Sequence, residues 1–379
     1  MPSNAVTLLQ NLIRIPSVNP DCCPDGDGEA AMADYVQNYL EKKGFNVSQE
    51  EVLPNRPNVI GKCPYDGPAQ DQRPRVLLCP HLDTVSVANM DMDTFGTITD
   101  DGRILGRGAS DTKGPMAAML QALNNCADIL PSLPVAVDFV GFMGEEASQH
   151  GSKHFGKQHA SEYEFGLAGE PTSLEIVNIT KGSLWATLQA TGKAAHASQP
   201  EAGDNAILKI AKALVQFEQS ITGRLATYTH PSLSHSTLNV GTITGGKQPN
   251  IVPDFASAQI DIRTTPALYD ESGALALVEN VIDELELPLK VINPHENPPM
   301  EVADDNPWIM RMQAANPESK TVSAPWFSDA AHLNAAGIPS ICIGPGSINQ
   351  AHTKDEFIRI TDLEAGVDYF ENFIRSLAN

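Results

Sequence analysis

Four short runs constrain this chain most: RVLLC at 75–79, VAVDFVG at 135–141, FGLAG at 165–169 and SICI at 340–343. Each is apolar almost end to end. A strand with one wet face alternates polar and apolar residues, whereas a strand that is apolar throughout must be covered on both faces. Between the runs lie segments with helical spacing, including GEAAMADYVQNYLEKKGF at 28–45, TKGPMAAMLQALNNC at 112–126 and DLEAGVDYFENFIRSLA at 362–378. In the first of these, Met32, Tyr35, Val36, Tyr39 and Leu40 share a face, and Gly44 is a natural stop. Strands alternating with helices imply an α/β fold with a mostly parallel sheet. An amphipathic helix is also expected over 4–14, with Ser3 as its N-cap.

The texture changes near Lys181. SLWATLQATG at 183–192 alternates as a half-exposed antiparallel strand does. An amphipathic helix capped by Asp204 follows, then STLNVGTITGG, ASAQIDIRTT and a second helix, ALALVENVIDELE. A chain of 379 residues is long for one core. We therefore expect a discontinuous catalytic domain over 1–180 and 293–379, and an inserted α+β domain over 181–292. The βαββαβ-like order makes the insert ferredoxin-like.

The net charge of −22 would repel a polyanion, so nucleic acid is not an expected partner. No run approaches the ~18 apolar residues of a membrane span. The first residues lack a basic n-region, and the six cysteines show no C-x-x-C spacing, which fits reduced thiols in a cytoplasmic protein.

In open α/β sheets the ligand crevice lies outside the carboxyl ends of the strands. RVLLC is followed by His81 and Asp83, VAVDFVGFMG by Glu145 and Glu146, FGLAG by Glu170, and SICIGPG by a loop carrying His352. Asp111 stands on the glycine-rich stretch GRGASD before a helix. Metal-binding side chains thus gather on one rim. Imidazole and carboxylate without thiolate suit zinc, with manganese or cobalt as substitutes. Two divalent ions and three carboxylates leave one positive charge, which a bridging hydroxide would cancel. That surplus lowers the pKa of bound water towards ~7.

These residues carry a resemblance. IPSVNP, PHLDTV, GRGASDTKGPMAAML, GEEASQHGS, GEPT, TGKAAHASQPEAGDNAI, DIRTTP and AHTKDEF occur in the order found in the M20 metallopeptidase family, the group of acetylornithine deacetylase, succinyl-diaminopimelate desuccinylase and carboxypeptidase G2. The first and third stretches read most like the deacetylase and desuccinylase branch. The resemblance implies two zinc ions per subunit. His81 and Glu170 would hold one and Glu146 and His352 the other, with Asp111 bridging. Glu145 would be the general base and later the acid, and Asp83 would fix the tautomer of His81. A cis peptide bond is implied at Asp111–Thr112. The insert would mediate a homodimer, with His196 reaching the partner's site to stabilise an oxyanion. Arg263 would hold the substrate carboxylate, and Asn239 and Gly246 would line that pocket. The implied activity is hydrolysis of an N-acyl amino acid by metal-bound hydroxide, with a dipeptidase or carboxypeptidase, or a silent substrate-binding relative, as alternatives.

Other features stay outside this reading. His150 and His154 are four apart but read as a solvated helix face. Cys22 and Cys23 have no base nearby in sequence. Gly102, Gly106 and Gly108 lack the spacing of a dinucleotide fingerprint.

Overall fold

The computed structural model describes residues 3–67, 70–88 and 90–378. It divides into two units, one of residues 1–178, 302–322 and 328–379, the other of 179–301 and 323–327.

The sheet of the first unit runs in the order Asn46–Leu53, Arg56–Lys62, Ala136–Gly141, Arg75–Cys79, Phe165–Gly169, Ser340–Ile343 and Ile176–Thr180. The central four strands are parallel. The outer strands pair antiparallel, so the sheet is mixed rather than mostly parallel. The reason is chain length. Asn46–Leu53 and Arg56–Lys62 are joined by two residues, with Asn55 at φ 59°, and so short a link permits only a hairpin.

The parallel strands are buried along nearly their whole length, as their composition requires. Val76, Leu78, Ile341 and Ile343 share one core with Leu9, Leu12, Met116, Leu120, Phe370 and Phe373 from three helices. Phe155, on helix His150–His159, packs edge-on against Phe142 at 5.4 Å. Helix Asn4–Arg14 begins after Ser3, but the Ser3 hydroxyl makes no capping bond. The Thr7 N–H donates to the Ser3 carbonyl instead.

The second unit has a four-stranded antiparallel sheet in the order Thr237–Gly245, Phe255–Thr264, Gly182–Thr191, Lys290–Asn297. In chain order this is 2-3-1-4, the arrangement of a split βαβ fold. Helices Ala206–Leu225 and Gly273–Glu284 bury Ile210, Phe217, Ile221, Val278 and Val281 with Leu184, Leu188, Ile260 and Ile262. The cap of the first helix is Asn205, whose side chain accepts from Leu208 N, and not Asp204, which pairs with Lys209. No helix among the described residues is long and apolar enough to cross a membrane.

Candidate metal centre

The central strands deliver their chemistry just past their carboxyl ends. Arg75–Cys79 continues through Pro80 to His81, which bridges to Phe142 in parallel register; Glu145 follows three residues later. Glu170 comes directly after Phe165–Gly169. Ser340–Ile343 leads into Gly344-Pro345-Gly346 and then to His352, whose φ is 61°. Asp111 ends a loop before helix Lys113–Asn125, and its peptide bond to Thr112 is cis.

These side chains meet. His81 Nε2 lies 3.1 Å from Asp111 Oδ1. His352 Nε2 lies 2.9 Å from Glu146 Oε2 and 3.5 Å from Asp111 Oδ2. One ligand atom from each of His81, Asp111 and Glu146 falls within 4.8 Å of the others. Glu170 accepts a hydrogen bond from Ser328 Oγ at 2.8 Å. Burial and the Asp111 charge push its carboxyl up to about 8, and the same two causes push Glu146 up to about 7. Burial and then the Glu170 charge hold Glu145 well above the usual carboxylate range. Negative charge is therefore crowded here beyond what the imidazoles balance. Glu146 Oε1 is buried with no hydrogen-bond partner. An orphaned carboxylate oxygen, opposed acceptors and a nitrogen–oxygen donor set fit divalent cations such as zinc, manganese or cobalt.

The profile of peptidase family M20/M25/M40 matches residues 77–376. The chain belongs to that family. It is a hydrolase of amide or peptide bonds, in a family of metal-dependent enzymes. It is 28% identical over 373 residues to acetylornithine deacetylase of Proteus mirabilis, covering 95% of this chain and 93% of that protein. It is 30% identical over 399 residues to a probable carboxypeptidase of Aspergillus clavatus, covering 98% and 89%. Among solved structures, an M20 family metallo-carboxypeptidase from Sulfolobus solfataricus superposes with a TM-score of 0.81 at 18% identity, over 99% of each chain.

The M20 motifs contain Asn19, Asp83 and Glu356 but do not show all that these residues hold in place. Asp83 does more than face His81. Its Oδ1 and Oδ2 accept the backbone N–H groups of Glu145 and Glu146, each at 3.1 Å, and Oδ2 also accepts from Asn19 Nδ2 at 2.7 Å. His81 Nδ1 lies 3.0 Å from the Asp83 carbonyl and 3.3 Å from its Oδ1, so Nδ1 carries a proton, and in the neutral imidazole the lone pair falls on Nε2, the nitrogen that faces Asp111. Asp329 is buried, with Ser152 donating to Oδ1. Burial raises its carboxyl to about 7.

Glu356, 1% exposed, organises the Asp111 loop. It accepts from Ser110 N at 2.9 Å, Asp111 N at 3.0 Å, Gly108 N at 3.1 Å and the Arg107 guanidinium at 2.5 Å. Glu356→Gln preserves the volume but turns a donor towards Arg107 or the loop amides. The metal-free protein is expected to lose about 1–3 kcal/mol of stability in urea unfolding. An unchanged midpoint would show that the loop does not depend on this carboxylate.

His196, Arg263, Asn239 and Gly246 belong to the second unit. His196 is exposed on the two-residue strand Ala195–His196, its Nδ1 2.7 Å from Ser198 Oγ. Arg263 is half-buried and pairs with Asp261 at 2.9 Å on its own strand. Asn239 is exposed and lies opposite Asp261. Gly246, at φ 72°, lines a shallow cavity of about 540 Å³ with Ile207, Gln248 and Pro253.

Proposed function

We propose that this M20 hydrolase is a dinuclear zinc-dependent amidohydrolase that deacylates an N-acyl amino acid in the manner of acetylornithine deacetylase. The observation that carries the reading is the crowding of His81, Asp111 and Glu146 within 4.8 Å, with His352 and Glu170 beside them. In this reading His81 and Glu170 would hold one ion and Glu146 and His352 the other, with Asp111 shared between them. Bound ions would polarise the acyl carbonyl and acidify water. Glu145 takes the proton of the attacking water and returns it to the departing amine, so that amide and water give carboxylate and amine. His196 donates to the developing oxyanion and Arg263 grips the substrate carboxylate, with Asn239 and Gly246 lining its pocket.

The reading includes a homodimer built on the second unit, with His196 serving the partner's site, in a cytoplasmic enzyme of amino-acid biosynthesis. Two exposed features support it. Val240 and Ile243 lie on the edge strand Thr237–Gly245, and Leu208 and Val215 on the outer face of helix Ala206–Leu225. A carboxypeptidase or dipeptidase reading has support from the Aspergillus clavatus and Sulfolobus solfataricus proteins, both named as carboxypeptidases.

Zinc analysis after dialysis is expected to give about two ions per chain. Product release from N-acetylornithine, N-succinyl-diaminopimelate and a dipeptide panel is expected to favour the N-acyl substrates. Preference for dipeptides would replace the deacylase reading. A chain that retains no zinc and releases no product would sink both.

A further inference from the structure

Behind the metal-facing side chains lies a buried cation that the hydrolytic mechanism does not use. Arg56, 6% exposed, follows the hairpin turn. Its Nε and Nη2 grip the two oxygens of Glu29 at 2.8 and 2.7 Å, Nη1 donates to Asp21 at 2.8 Å, and Nη2 also donates to Asn19 Oδ1 at 3.0 Å. Asn19 Oδ1 accepts the Asp21 N–H as well, at 2.9 Å. With two donors on its oxygen, the Asn19 amide has one orientation left, NH₂ towards Asp83. A flipped amide would set oxygen against the Asp83 carboxylate.

From Asn19 the chain of bonds reaches the centre directly. Asp83 takes the Asn19 NH₂ and the N–H groups of Glu145 and Glu146, and lies against His81. A second branch runs from Arg56 through Asp21, which accepts from Ser148 Oγ at 2.9 Å and so holds the far end of the turn after the paired glutamates. Gly144, at φ 80°, opens that turn, and a side chain there would come within 3.5 Å of Arg56 Nη2. Arg56 thus braces both ends of the segment that carries Glu145 and Glu146.

We infer that Arg56 is a positioning residue of the metal centre: by fixing the polarity of the Asn19 amide it sets Asp83, and through Asp83 the places of His81 and Glu146. The inference rests on the reading of His81 and Glu146 as metal ligands. An arginine is needed because one guanidinium fork satisfies Glu29 in two directions while a further N–H reaches Asn19. A lysine keeps the charge beside Glu29 but cannot supply that geometry.

The test is the zinc affinity of the whole chain, measured by competition with a chelator, alongside melting temperatures of chelated and zinc-loaded protein. Arg56→Ala strands the buried Glu29 and is unsuitable, so Arg56→Lys and Asn19→Ala are used, singly and together. Each single variant is expected to weaken zinc binding by about tenfold, and the double variant by clearly less than the product of the two, since both act on Asp83 through the Asn19 amide and only the Asp21 branch bypasses it. Arg75→Lys is the control. Arg75 is another arginine in a carboxylate pair, half-buried, with the buried Asp138 at 2.8 Å, and its loss should lower the melting temperature without changing zinc affinity. If the natural chain binds zinc and either single variant binds it equally well, Arg56 is merely structural and the inference fails. Independent, additive losses overturn the path through Asn19. A natural chain that binds no zinc overturns the ligand reading and this inference with it.

Discussion

Glu145→Gln is expected to lower kcat by ~10²–10⁴-fold while zinc content and melting temperature stay close to those of the natural chain. The substitution keeps the shape of the side chain and removes only its ability to take and return a proton. The main chain at 145 should not move, because its N–H is held by Asp83 rather than by its own carboxyl. The carboxyl sits above the ordinary range, first through burial and then through the Glu170 charge, as a group that takes up a proton requires. The loss should fall on kcat with KM little changed, the signature of a group that acts in the transition state rather than in binding. Glu146→Gln, one residue on, should instead release metal, since Glu146 faces His352 and Asp111. Near-normal turnover in Glu145→Gln would remove the glutamate base. Loss of zinc from Glu145→Gln would show that the two neighbours have been assigned in the wrong order.

How much of this could be read from the chain depends on whether a feature leaves a local trace. The central strands did, because burial on both faces demands continuous apolar runs, and Val76 to Cys79 or Ser340 to Ile343 have no other reading in an α/β texture. The outermost strand did not, although its hairpin partner, with NVIGKC at 58–63, reads as a strand. Asn46–Leu53 is largely exposed, with glutamine and glutamates along it, and a charged edge strand resembles a loop in composition. The sequence pattern therefore predicts a mostly parallel sheet, whereas its margins are antiparallel. The ligand candidates were legible because each stands just past a strand or in a glycine-rich turn. Of their supports only Asp83 was, as the partner of His81. Glu356 joins the Asp111 loop across 245 residues, and Arg56 meets Asn19 across 37. Among 47 acidic residues nothing local marks Glu356 or Glu29 as buried. Only the long-range fold selects them.

Removing metal should make stability fall as pH rises. Glu146 titrates near 7 and Glu170 near 8 in the folded chain, and Asp329 near 7, all raised chiefly by burial. An unfolded carboxyl titrates near ~4. Between these values the folded state holds more protons than the unfolded state, so the free energy of unfolding decreases with increasing pH. A single carboxyl moved from 4.5 to about 7, as for Glu146, disfavours the ionised folded form by about 3 kcal/mol. His81 acts in the same direction. Its folded value is raised by Asp111 and Asp83 against the lowering effect of burial, so its contribution is present at low pH and lost as pH rises. Asp83 lies below the window, because its lowered carboxyl loses its contribution only in acid. The chelated protein should therefore melt several degrees higher at pH 6 than at pH 8. Divalent cations bind the ionised carboxylates and compete with protons. The rise in melting temperature on adding zinc should accordingly be larger at pH 8 than at pH 6. Glu170→Gln, which removes one of these ionisations, should flatten the pH slope of the chelated protein while weakening the response to zinc. Equal stability of the chelated protein at both pH values would mean that these carboxyls are not crowded in solution, and the case for paired cations at this rim would lose its electrostatic basis.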